Sequence, residues 1–367
     1  MTTLDLGGAL TALERGRADG YHLGAQLSVR HGEEAADVAI GDVRTGTLLP
    51  WLSCTKAVTA LTVLQLWERS AIEIDEPVAR YVEEFGANGK ERVTVRHVLT
   101  HTAGVRSELV SGDLWRMSWA DALAAVCAAP LAPSWSPGER AAYDASAAFH
   151  VLGELVQRVD GRAFDAYVAE EVFEPLDMPD SWMALTAHRF AAYADEGRIG
   201  VMYDTTAKAS PQPRPGFDDG RALRRVLPSG SGVGPMRDLV RFAACLLGGG
   251  ALDGHRVLSR QTVDTMAARH RAGMVDETFG MVIDWGLGLL VNSFHYRDRA
   301  TSYGFGRHAS RRAAGHGGRQ SSLVFFDPPH GLAVALCCNG MPGEPGNHRR
   351  TQPVLTALYE DLGLVGG

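Results

Sequence analysis

Fifteen consecutive residues, TKAVTALTVLQLWER at 55–69, set the strongest limit on what this chain can fold into. Ala57, Val58, Ala60, Leu61, Val63, Leu64, Leu66 and Trp67 put apolar side chains on nearly every side of a helix. A helix apolar all round belongs inside a core. It is too short for a bilayer, which takes about 20 apolar residues. The chain must therefore build a core around it, and 367 residues suffice for one large domain or two sharing a core. Near the start of this helix stands Lys56. Only three of the 36 basic residues are lysines, the others being Lys90 and Lys208. An arginine- and alanine-rich composition of the kind GC-rich coding produces accounts for part of that scarcity. A lysine kept on a helix bound for the interior still needs a reason. Lysine can lose its proton when buried, and arginine effectively cannot.

Composition removes several function classes. The net charge of -7 gives no general attraction for nucleic acid or an anionic membrane. Five cysteines (Cys54, Cys127, Cys245, Cys337, Cys338) are odd in number, scattered and without a C-x-x-C pair. Neither a disulfide framework nor a zinc site is indicated, and no cofactor is expected. The opening MTTLDLGGALTALERGRADG lacks a basic segment followed by an apolar run, so a cytoplasmic location is expected.

Periodicity divides the chain. Residues 4–18 read as a short helix, and GAQLSVR (24–30) with ADVAIG (36–41) as a hairpin across HGEEA. VTVRHVLTHTAG (93–104) and FHVLGELVQRV (149–159) read as helices stopping at glycine. Residues 205–232 read as a long irregular connection. GPMRDLVRFAACLL (234–247) reads as a helix opened by Pro235. SSLVFFD (321–327) and GLAVALCCN (331–339) read as strands joined by PPH, and a last helix is expected over about 350–362. Strands at both ends imply one sheet built from the two termini. We expect an α/β domain from 1–75 and 235–367, with a mostly helical domain at 76–234.

Ser53 and Lys56 stand three apart at the head of the apolar helix. If that helix begins near Ser53, the two side chains share a face, one turn apart. The lysine can then take the hydroxyl proton. The helix N-terminus points its positive end at Ser53, whose backbone N–H is free to meet a developing oxyanion. Cys54 faces about 100° away around the helix and reads as a core residue.

Five segments then occur in order: SCTK at the head of the buried helix, VTVRHVLTHTAGV (93–105), SPGERAAYDASAAFHVLGELV (136–156), SGSGVGPMRDLVRF (229–242) and AAGHGGRQSSLVFFDPPHGLAVALCCNG (313–340). The series resembles the serine β-lactamase and penicillin-binding-protein-like hydrolases, most closely their class C β-lactamase-like branch of esterases, D-aminopeptidases and acyltransferases. The likeness covers roughly residues 20–362. It implies an antiparallel sheet flanked by helices, a largely helical second domain, and an active site between them.

By this resemblance Ser53 is the acyl-accepting nucleophile and Lys56 its base. Tyr143 matches the tyrosine of a Y-x-N motif that relays protons. Flanking cations would lower a phenol whose ordinary pKa is about 10. His316-Gly317-Gly318 stands where a Lys-Thr-Gly motif lies on the sheet-edge strand. Gly317, Gly318 and Arg319 would lie against substrate, with the Ser53 and Arg319 N–H groups as oxyanion hole. His316 would bond Tyr143 or a substrate oxygen. Two departures matter: Ala145 replaces the asparagine of Y-x-N, and His316 replaces a permanent cation. Both argue against β-lactams and peptidoglycan peptides.

The expected activity is acyl transfer from a small ester or amide, to water or to an amine or alcohol in small-metabolite tailoring. A β-lactamase, a D-amino-acid peptidase and a non-catalytic binding domain remain alternatives. Arg307, Arg311, Arg312 and Arg319, and separately Arg214, Arg221, Arg224 and Arg225, form basic clusters that could hold an anion or simply face solvent.

Overall fold

The structure, a computed structural model, describes residues 4–216, 222–296 and 304–365. Arg221, one of the clustered arginines, lies outside them. Helix α1 (Gly7–Ala18) leads into strands β1 (Gly24–His31) and β2 (Glu34–Gly41). Their turn is tighter than HGEEA suggested. Gly32, at φ +58°, reverses the chain, and pairing continues to His31 and Glu34. Helix α2 (Thr55–Glu68) follows a 3-10 turn at Leu52–Cys54. Every residue from Thr55 to Leu66 is buried, as an all-round apolar helix requires except at its polar members.

The sheet continues late in the chain with β3 (Asp284–Trp285), β4 (Leu290–Val291), β5 (Ala314–Gly317), β6 (Ser322–Asp327) and β7 (Leu332–Cys338). Its order is β3-β4-β5-β6-β7-β1-β2, with every neighbour antiparallel. The termini therefore meet in one sheet: β1 runs against β7 from Ala25–Cys338 to His31–Leu332.

Alternation assigns the two faces. Ala25, Leu27, Val29, Phe325, Val334 and Leu336 share a core with α1 and the C-terminal helix α5 (Glu344–Asp361). Val324, Phe326, Ala333 and Ala335 share another with α2, helix α3 (Ala147–Asp160) and helix α4 (Met236–Leu247). This is an α/β fold with an antiparallel sheet flanked by helices.

Two expected boundaries move. The helix in 93–104 is confined to Val95–Leu99. Thr94 caps it, and His101 at φ +55° ends it before Gly104. The last helix starts at Glu344 instead of near 350. Pro345 suits a first turn, while Arg350 inside the helix donates to Tyr21 O and Gly340 O.

Candidate active site

The turn before α2 is built under strain. Leu52 takes φ +51°, a left-handed conformation unfavourable for a leucine. Neighbouring contacts hold it there. Trp51 N–H donates to Gly232 O (2.8 Å) and Trp51 Nε1 to Gly234 O (3.1 Å). Ser322 Oγ donates to Trp51 O (2.6 Å), tying the turn to β6. Ser53 therefore sits at a fixed corner between sheet and helices, partly exposed. The helix proper begins at Thr55, two residues later than the motif alone suggested, and Ser53 lies in the 3-10 turn.

Lys56 is fully buried. Its Nζ lies 3.3 Å from Ser53 Oγ and donates to Ala145 O (2.7 Å) and Ser229 O (3.1 Å). Burial drives its pKa down to about 7, overcoming the attraction of Asp144. A neutral amine at this distance can accept the Ser53 proton. Ser229 opens the SGSGVGPMRDLVRF segment (229–242), which packs along α2 and brings a carbonyl to the lysine. Thr59 Oγ1 donates to Pro228 O (2.6 Å) and Gly232 N–H to Thr55 Oγ1 (3.0 Å).

Tyr143 O–H donates to Ser53 Oγ at 2.8 Å. The expectation of a lowered phenol pKa is corrected. Burial raises it, and the charges of Asp144 and Asp276 add to the rise. No second cation stands where His316 replaces lysine, so Tyr143 is a neutral donor.

His316 lines the same cleft but does not bond Tyr143; the ring centroids are 6.1 Å apart. Its Nδ1 meets Gly317 O at 2.8 Å. A carbonyl only accepts, so the proton is on Nδ1 and Nε2 is left as an acceptor. Nε2 has no partner among the described residues. Burial, helped by Lys56, pulls the imidazole pKa down to about 3.

The expectation of an edge strand is also refined. Ala314 and Gly315 pair with β4 on one side and β6 on the other. His316 and Gly317 extend past β4 and pair with β6 alone, which leaves their other side open to the cleft. Gly318 is required by space: a Cβ there would stand 2.6 Å from Trp51 O and 2.0 Å from Ser322 Oγ. Cys54 completes the junction, donating its thiol to His316 O (3.1 Å). Buried, with its pKa pushed up to about 12, it is a strut and not a thiolate.

The cleft encloses about 280 Å³. Tyr143, Phe279, Trp285 and Leu290 supply apolar wall, and Glu108, Glu344 and Arg319 add charges. Arg319 is the member of the 307–319 cluster that lines it. Arg312 instead lines a separate cavity with Arg260 and Arg269, and Arg224 and Arg225 line a hollow beside Met117.

Residues unnoticed in the sequence frame this geometry. Asp144 accepts from Ser107 N–H (2.7 Å), Ser107 Oγ (2.6 Å) and Ala148 N–H (2.9 Å), pinning Tyr143's neighbour to the start of α3. His101 takes the Asp144 N–H (3.2 Å) and packs its ring 4.6 Å from both Tyr143 and Trp285. Position in the quoted motifs was the available signal for His101 and Asp144. Trp285 and Phe279 carried none.

Residues 10–358 match the Beta-lactamase family. The chain belongs to the Beta-lactamase family. That is a family of serine hydrolases, and this Beta-lactamase-family protein is an enzyme of that kind. It is 30% identical over 353 residues to "Esterase EstB" of Burkholderia gladioli, covering 87% of this chain and 85% of that protein. It is 28% identical over 352 residues to "Esterase/beta-lactamase LipL" of Mycobacterium tuberculosis, covering 86% of this chain and 76% of that one. Among solved structures, a penicillin-binding protein homologue from Caulobacter crescentus superposes with a TM-score of 0.79 at 25% identity, covering 98% and 99% of the two chains. Among the described residues no helix is long and apolar enough to cross a membrane.

Proposed function

We propose that this enzyme cleaves small carboxylic esters through an acyl group on Ser53. One observation carries the reading: Ser53 Oγ lies within reach of a buried amine at 3.3 Å and a phenol at 2.8 Å, at the wall of an apolar cleft. Ser53 attacks the ester carbonyl as its proton passes to neutral Lys56, forming the Oγ–C bond. The Ser53 and Arg319 N–H groups receive the oxyanion. The C–O bond to the alcohol then breaks. Tyr143 gives its proton to the leaving oxygen and is reprotonated by Lys56. Water enters by the reverse path and releases the acid.

The names of the relatives EstB and LipL support the ester reading. Ala145 in place of an amide, and a neutral imidazole in place of a lysine, both weigh against β-lactams. The cleft takes Ser53, His316 and Arg319 from 1–75 and 235–367, and Glu108, Tyr143 and Ala145 from 76–234. That supports two domains meeting at the site.

Transfer to an alcohol or amine is the second reading. The wall of Phe279, Trp285 and Leu290 favours it by giving such an acceptor an apolar seat beside the acyl group. Product analysis with a p-nitrophenyl ester, with and without an added amine, separates the two. Free acid alone in both mixtures removes the transacylase. Absence of a Ser53 adduct after fluorophosphonate treatment removes both.

A further inference from the structure

A single buried carboxylate holds both the phenol and one wall of the cleft. Asp276 is fully buried, and its Oδ1 accepts from the N–H groups of Tyr143 (3.1 Å), Thr278 (3.0 Å) and Phe279 (3.3 Å). Its Oδ2 receives Arg271 Nη2 at 3.0 Å. Arg271 is itself buried and anchored on Thr100 O (3.1 Å) and Ile283 O (2.9 Å). The return contact comes from Thr278, whose Oγ1 donates to Tyr143 O at 2.9 Å. Glu277 N–H donates to Ala141 O (2.9 Å), and Arg140 grips Glu277 through two bonds of 2.8 and 2.9 Å. Arg140, Ala141 and Tyr143 are thus bound to Asp276, Glu277 and Thr278, while Ala142 N–H donates to His101 O (3.0 Å).

This arrangement has a chemical consequence. Tyr143 lies in neither helix nor strand, four residues before α3, so its main chain is located by these bonds and by the neighbouring Asp144 contacts. Proton transfer needs its oxygen near hydrogen-bond distance, and a misplacement of about 1 Å can cost 10²-fold. We infer that Asp276 is a positioning residue for leaving-group protonation: it sets the Tyr143 phenol on Ser53 and, through Phe279, the wall facing the departing alcohol. The inference rests on the ester reading above, in which Tyr143 supplies that proton.

Leaving-group dependence tests it. An alkoxide needs the proton, whereas p-nitrophenolate leaves without it. With one acyl group, kcat/KM is measured for the ethyl and the p-nitrophenyl ester in wild type, Tyr143→Phe and Asp276→Asn. Fluorophosphonate titration normalises each to competent Ser53. Both variants are expected to lose at least about tenfold more on the ethyl ester than on the p-nitrophenyl ester. A merely structural role lowers both esters by one factor. If Tyr143→Phe is selective and Asp276→Asn is not, positioning by Asp276 is overturned. If Tyr143→Phe is itself unselective, the proton-donor reading fails and takes the inference with it. Should Asp276→Asn not fold, the exposed Thr278→Val serves instead. It removes the return bond to Tyr143 O, and an unchanged ethyl-to-p-nitrophenyl ratio there overturns the inference.

Discussion

Lys56 Nζ lies 3.3 Å from Ser53 Oγ, and its other two contacts are main-chain carbonyls, of Ala145 and Ser229. Among the described residues no carboxylate is bonded to it; Asp144 acts only at longer range. Carbonyls stabilise an ammonium less than water does, so burial prevails and the amine approaches neutrality near physiological pH.

The pH profile follows from that balance. Below a pKa of about 7 the lysine holds its proton and cannot accept another, so kcat/KM falls as pH drops through 7 and levels off above it. Lys56→Arg stays charged throughout and is expected to lose about 10²–10⁴-fold or more. Measured profiles from pH 5 to 9, near two units either side, check both; wild-type turnover in Lys56→Arg would refute the base.

His316 should leave no mark on that profile. Its pKa of about 3 keeps it neutral where the enzyme works, which revises the simple expectation of a histidine titrating near pH 6–7. His316→Gln is expected to change the rate while the midpoint near 7 persists. A midpoint that vanishes with the histidine would assign the titration to His316 instead of Lys56.

Cys54 predicts resistance to thiol reagents. It is buried and its pKa is about 12, so iodoacetamide should spare native activity. Cys54→Ala loses the bond to His316 O, with an expected loss of roughly 1 kcal/mol in stability. Ser53 should still label with fluorophosphonate. Rapid native alkylation with loss of activity would show the turn to be more open than the structure allows.

Gly318→Ala tests the close approach of strand and turn. The added methyl meets Ser322 Oγ and the Trp51 carbonyl, and overpacking of this kind costs about 1–3 kcal/mol. Moving the turn also displaces Ser53 from Arg319. Activity per folded molecule, read against the Tm, should fall further than stability does. An unaltered kcat/KM would falsify the tight junction.

Much was legible because it is local. The apolar circuit of α2, the β1–β2 hairpin, Gly161 closing α3 at φ +93° and Pro235 opening α4 each follow from a few neighbouring residues. Fold and family came from five segments in order. Boundaries failed where long-range contacts overrode local signals. The last helix starts at Glu344, before the expected 350, where the buried Arg350 ties the segment to Tyr21 O and Gly340 O outside its own helix.

For the site, the sequence by itself singled out residues that the fold brings together at one cleft. Ser53 and Lys56 are neighbours through helical spacing, and Tyr143 and His316 were named by motif. Only the tertiary structure decided their charge states. A pKa depends on how much water is removed and which charges stand nearby, and those are set by residues far away in the chain: Ser229 beside Lys56, Asp276 beside Tyr143, Lys56 beside His316. The same packing that pulls the lysine towards neutrality keeps the tyrosine protonated and the histidine neutral, because burial disfavours whichever form is charged.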